Sequence, residues 1–134
     1  MPAPDGRALA VLLATKAHGD EIVLARLLGD AEVPDAVLGF HAQQAVEKLL
    51  KAALATVGAV PPRTHDIARL NDLVVSAGLE PPEAARDARR LAPWAVEMRY
   101  DDFLGEGLDR EWARRVVADV RTWLDAILAR ADRG

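Results

Sequence analysis

The sequence predicts an all-α protein: an antiparallel bundle of four main helices with a short, broken fifth element. Three observations carry that reading. The chain is rich in Ala, Leu and Arg, which favour helix, and runs of β-branched residues are few. Its apolar residues recur at spacings of three and four, the helical period. Glycine and proline then divide it into segments of helical length. With 134 residues, the simplest organisation is one domain, residues 1–134. A chain of this length removes roughly two-thirds of its unfolded surface from water, enough for a core without staples.

The first helix is expected from about Asp5 to Leu28. Leu9, Leu12, Leu13, Ile22, Val23, Leu24, Leu27 and Leu28 supply its apolar positions. Gly19 lies inside it and costs about 1 kcal/mol relative to Ala. The stretch GDAEVP (29–34) ends it. The second helix follows Pro34, from Asp35 to about Val57, with Gly58 as its C-terminal stop. Pro61-Pro62 then makes a stiff extended connection. The third opens in THDIARLNDLVVSAG, with Thr64 as N-cap, Asp66 at the positive end and Gly78 closing it. Pro81-Pro82 can start the fourth element. Pro93 should break it, leaving Trp94 to Tyr100 as a second piece before the loop GEG (105–107). The last helix runs from Asp109 to about Arg130, with a wide apolar face that includes Trp112 and Trp123.

Composition narrows the function. With no cysteine, a disulfide framework, a thiolate metal site and a cysteine nucleophile are excluded. Ser76 is the only serine, which removes the usual Ser-based triad. There is no HExxH, no histidine pair at metal spacing, no GxGxxG and no Walker sequence, so neither a metal nor a cofactor is expected. A formal net charge of −4 gives no global basic field for duplex nucleic acid. Aromatic residues make up 4%, too few for an extended base-stacking platform. No stretch reaches the ~18–20 apolar residues of a membrane span, and the N-terminal run has no long apolar region with a cleavage site. The expectation is a soluble, cytoplasmic protein.

The stretch FHAQQAVEKLLKAAL (40–54) holds the densest polar set. On a helical wheel, Leu38, Ala42, Val46, Leu49, Leu50, Ala53, Leu54 and Val57 share one sector. His41, Gln44, Lys48 and Lys51 form a stripe on the other side. Glu47 sits beside that stripe and can pair with Lys51 at i+4. Gln43 lies at the edge of the apolar sector and, if buried, needs a hydrogen-bond partner. The plain reading of the stripe is the solvated face of an amphipathic helix; the functional reading is an anion-binding surface. Two further clusters invite the same question. In PPRTHD, Arg63 and His65 flank a helix start whose free N–H groups attract anions; the plain alternative is a capped helix. In EMRYDDF, Arg99 can fork onto a phosphate or carboxylate and Tyr100 can stack or donate. Its alternative is an internal pair with Glu97, Asp101 or Asp102.

In this order, FHAQQAVEKLLKAAL, VPPRTHDIARL and MRYDD resemble the motifs of HEPN domains. That family reads approximately H-x-Q-Q-A-x-E-K-x-x-K-A in one helix, then a Pro-Arg-Thr-His-Asp-like helix start, then Arg-Tyr-Pro. Asp101 stands where the family often has Pro. The resemblance implies a compact helical bundle, frequently a homodimer, that binds a nucleotide or nucleic-acid phosphate. It also implies a small nucleotidyltransferase partner in a toxin–antitoxin-like pair. His41, Gln44, Lys48, Lys51, Arg63, His65, Arg99 and Tyr100 are the candidate contacts. One branch of the family consists of metal-independent ribonucleases marked by Arg, four to six residues, then His. The three histidines are His18, His41 and His65, and positions five to seven before each hold Val11–Leu13, Pro34–Ala36 and Gly58–Val60. None is Arg, so the signature is absent and the reading leans away from an enzyme. RNA cleavage would then need an improvised site built on His65 and Arg99. A purely structural oligomerisation or adaptor domain is the third reading, with the motif residues bonded to one another.

Overall fold

In a computed structural model, residues 5–95 and 107–133 are described. The chain forms α1 (Asp5–Leu27), α2 (Asp35–Thr56), α3 (Ile67–Ser76), α4 (Glu83–Asp87), a 3-10 segment (Ala88–Trp94) and α5 (Arg110–Arg133). There is no strand among the described residues. The all-α bundle is the architecture that helical spacing and breakers predict. None of its described helices is long and apolar enough to cross a membrane.

The centre of the bundle is α2. It packs against α1 along most of its length and also meets α5, α3 and the 3-10 segment. Its apolar sector is the heart of the core, with Leu38, Ala42, Val46, Leu49, Leu50 and Ala53 all fully buried. Cutting any of its leucines to Ala would cost about 2–5 kcal/mol. Ala45, Ala52 and Ala55, on other faces, are buried too. The helix is therefore covered nearly all round, and its polar stripe is not the wet face that the wheel suggests. Val57, placed in the apolar sector by periodicity, is exposed, because the helix has ended and Val57 is its C-cap.

Both glycine stops work as expected. Gly58 and Gly78 have φ of +79° and +90°, the left-handed region that glycine enters without a Cβ clash. After α2, Gly58 N donates to Ala55 O and Ala59 N to Leu54 O. After α3, Gly78 N donates to Val75 O and Leu79 N to Val74 O. Each is a Schellman closure that satisfies two orphan carbonyls. The start of α3 differs from expectation. Asp66, not Thr64, is the N-cap, its side chain accepting from the N–H groups of Ala68 and Arg69. Thr64 sits two residues upstream, its hydroxyl taking the N–H of Asp66. An ionised cap bonds the helix end more strongly than a hydroxyl does.

The fourth element also breaks differently. The change from α to 3-10 geometry comes at Ala88 and Pro93 lies within the 3-10 segment, so the break precedes the proline. Trp94 closes the segment against α2, where Gly39 makes room: a Cβ there would lie 2.6 Å from the indole. Residues 96–100 of the expected Trp94–Tyr100 piece, and most of the GEG loop, lie outside the described residues.

One arginine knits the far end of the bundle. Arg110, in the first turn of α5, donates through Nε to Asp35 Oδ1 at 2.9 Å. Its terminal nitrogens reach the carbonyls of Leu28, Asp30 and Val33 at 3.0, 2.9 and 2.6 Å. It thus ties the α1–α2 loop and the start of α2 to α5. Arg121 joins α5 to α1 through Glu21 and the Ala14 carbonyl. Burial works against its charge, yet the hydrogen bond and charge of Glu21, with Asp125, raise its pKa above the ordinary guanidinium value.

Candidate functional site

The polar stripe of α2 resolves into two clusters, each built on a buried carboxylate. The first is Asp20 of α1. It occupies the inward row Ala10, Ala14, Ala17, Leu24, the only polar residue among those buried neighbours. Its Oδ1 accepts from His41 Nδ1 at 2.8 Å and its Oδ2 from Lys48 Nζ at 2.6 Å. His41 and Lys48 are seven residues apart on α2, two turns, so they reach down to one α1 carboxylate between them.

The second cluster is built on Glu47 of α2 itself. Its Oε1 accepts from His65 Nδ1 at 2.9 Å and its Oε2 from Lys51 Nζ at 2.9 Å. Gln43, fully buried, completes it. Its Nε2 donates to the His65 carbonyl at 3.0 Å and to Glu47 Oε1 at 3.3 Å. Its Oε1 accepts from Gln44 Nε2 at 2.9 Å. Gln43 is therefore the buried link between α2 and the entry to α3, as its edge position on the wheel suggests.

Carboxylates only accept, so both imidazoles must carry a proton on Nδ1. Each ring is fixed in orientation, and its Nε2 has no partner among the described residues. Such a carboxylate-anchored imidazole can take up or give a proton at Nε2, or donate to an anion when charged. The two lysines each spend one of three N–H donors on their carboxylate, leaving two for phosphate oxygens. Two buried carboxylates offset two lysines, so the stripe has little net field of its own. Further positive charge comes from Arg63, which is exposed and has no side-chain partner among the described residues.

The structure brings together five candidates, His41, Gln44, Lys48, Lys51 and His65, on the α2 seam. Arg63 stands two residues before His65. Arg99 and Tyr100, with Asp101, lie outside the described residues. The start of α3 is not an open anion cradle, because Asp66 takes the Ala68 and Arg69 N–H groups that a ligand would use. Sequence reasoning missed Asp20. The signal that could have found it is a carboxylate in the core row of α1, where burial demands a cationic partner. Among the described residues no three His, Cys, Asp or Glu side chains are grouped to hold a metal ion.

No curated protein and no solved structure matches the chain. The HEPN domain family, by contrast, matches residues 23–130, from the end of α1 to the end of α5. That span takes in the whole seam except Asp20. The chain belongs to the HEPN domain family.

Proposed function

We propose that the chain is a phosphate-recognising HEPN module that binds a nucleotide or a nucleic-acid backbone along the α2 seam. The observation that supports this reading most is the paired construction of the seam. Two buried carboxylates each hold one histidine and one lysine, leaving Nε2 atoms and spare ammonium protons for an incoming anion. Arg63, and Arg99 with Tyr100 from the later motif, add donors. The module acts as a homodimer with a small nucleotidyltransferase partner, in a two-component toxin–antitoxin-like pair. Titration with ATP and with short single-stranded RNA, followed by NMR at low salt, tests the binding. His65 and Lys48 signals should shift, and the logarithm of the affinity should fall linearly with the logarithm of salt concentration. Absence of any shift at low salt would remove the proposal.

One observation favours a second reading, a metal-independent ribonuclease. His65 is anchored by Glu47 while its side chain is 74% exposed, which suits a general acid or base; Arg99 would stabilise the charge on phosphorus. Incubation with cellular RNA in EDTA separates the readings. Cleavage abolished by His65→Ala or Arg99→Ala would establish the second, and intact RNA would sink it. The internal pairing of Glu47 with Lys51 also suits a structural adaptor, for which neither ATP nor RNA would bind.

A further inference from the structure

A groove of about 640 Å³ lies away from the seam, where α3 faces α4 and the 3-10 segment. One wall carries Asn71, Asp72 and Ser76 of α3; the other carries Arg86 and Arg89. No residue of the seam lines it. The two walls are opposite in character. The α3 side offers the carboxylate of Asp72 and the hydroxyl of Ser76. The opposite side offers two guanidinium groups three residues apart, the spacing that puts side chains on one helical face.

These groups are not satisfied by one another. Asp72 and the Arg86 side chain have no partner among the described residues, and Arg89 uses only Nε, on the Arg86 carbonyl at 3.1 Å. Asn71 adds the independent observation. Its side chain is buried, and Nδ2 donates to the Ala85 carbonyl at 2.6 Å, fixing the backbone that leads into Arg86. Its Oδ1 is buried with no hydrogen-bond partner among the described residues, a state that few native polar groups tolerate.

We propose that this groove binds a small zwitterionic ligand. A phosphate or carboxylate sits on Arg86 and Arg89, and an adjoining ammonium donates to Asp72. The volume lies within the range of small-molecule sites. Asp72 makes the groove selective, since an anion without a neighbouring donor meets its negative charge unpaired. The site is independent of the seam and does not rest on the nucleotide reading.

The test uses three probes on the full chain: O-phosphoethanolamine, β-alanine and inorganic phosphate. NMR follows the Asn71 side-chain amide and the arginine Nε–H signals. At least one zwitterion should shift both and bind at least fivefold tighter than inorganic phosphate, and the better of the two names the anion as phosphate or carboxylate. The double variant Arg86→Ala, Arg89→Ala changes exposed side chains and should keep the melting temperature while weakening that binding at least tenfold. Asp72→Asn should erase the preference over inorganic phosphate while leaving phosphate binding intact or stronger. No shift at millimolar zwitterion, equal affinity for inorganic phosphate, or undiminished binding in the double arginine variant would each overturn the proposal.

Discussion

Asp20 and Glu47 are built from the same parts: a buried carboxylate, one histidine through Nδ1 and one lysine. They differ in what they join and in what they leave showing. The Asp20 cluster crosses from α1 to α2 with both of its bonds, and its histidine is mostly covered. The Glu47 cluster takes its lysine from the same helix and its histidine from the approach to α3, and that histidine stands largely in solvent. The first therefore acts as a helix-to-helix tie. The second is a buried anchor that presents a surface imidazole. Identical chemistry yields a covered helix-to-helix contact in one place and a solvent-facing imidazole in the other, and exposure of the histidine decides which.

The carboxylates should matter most, because removing either leaves a half-buried lysine without its counter-charge. Glu47→Ala is expected to cost about 4 kcal/mol and Asp20→Ala about 3 kcal/mol, since breaking a buried pair typically costs 3–5 kcal/mol. Glu47 leads because Lys51 is better covered than Lys48 and because Gln43 loses a partner as well. Urea unfolding followed by circular dichroism measures both. Equal, sub-kilocalorie losses would mean that the lysines escape to water and that neither cluster is a tie.

The histidines should then separate the clusters. His41→Ala is expected to cost about 1.5–2 kcal/mol, the worth of a hydrogen bond to a charged group, because Asp20 loses one of its two donors inside the α1–α2 interface. A loss below half a kilocalorie in the same unfolding experiment would make the Asp20 cluster no more structural than a surface pair. Gly19 offers a smaller check from the α1 side. It precedes Asp20 in mid-helix, and a Cβ there meets nothing within 4 Å. Gly19→Ala should therefore raise stability by about 0.5–1 kcal/mol, through propensity alone, and a drop instead would show that α1 must flex to seat Asp20.

The legibility of these features in the sequence follows from how far apart the partners lie. Helix bodies, the Gly58 and Gly78 stops and the Glu47–Lys51 pair are local patterns, and one sequence is enough to read them. The Gln43 link is half-local: its edge position announces burial, but its partner, the His65 carbonyl, comes from another segment. Asp20 with His41 and Lys48 spans 21 and 28 residues, and periodicity cannot say which helix covers a polar stripe. Arg110 is the extreme case. Its acceptors lie 75–82 residues away, and backbone carbonyls carry no side-chain signature at all. The Thr64 misreading has a different cause: two capping residues stand two apart in RTHD, and only backbone geometry chooses between them. The family motif compensates in part, since it marks His41, Lys48 and His65 as a set without saying what they bind.

His65→Ala should have the smallest effect on stability and the clearest effect on binding. The imidazole is largely exposed, and an exposed charged contact is worth at most about 1 kcal/mol. The bond that ties Gln43 to this segment uses the His65 backbone carbonyl, which alanine keeps. Stability should therefore fall by less than about 0.5 kcal/mol. If the Glu47 cluster presents its histidine to a phosphate, affinity for ATP or short RNA should fall at least fivefold in the same variant, while His41→Ala, corrected for its lost stability, should change affinity less. The reverse order, with His41 governing binding and His65 governing stability, would exchange the roles assigned to the two clusters. It would also show that the accessible ligand-facing end of the seam is the α1 side.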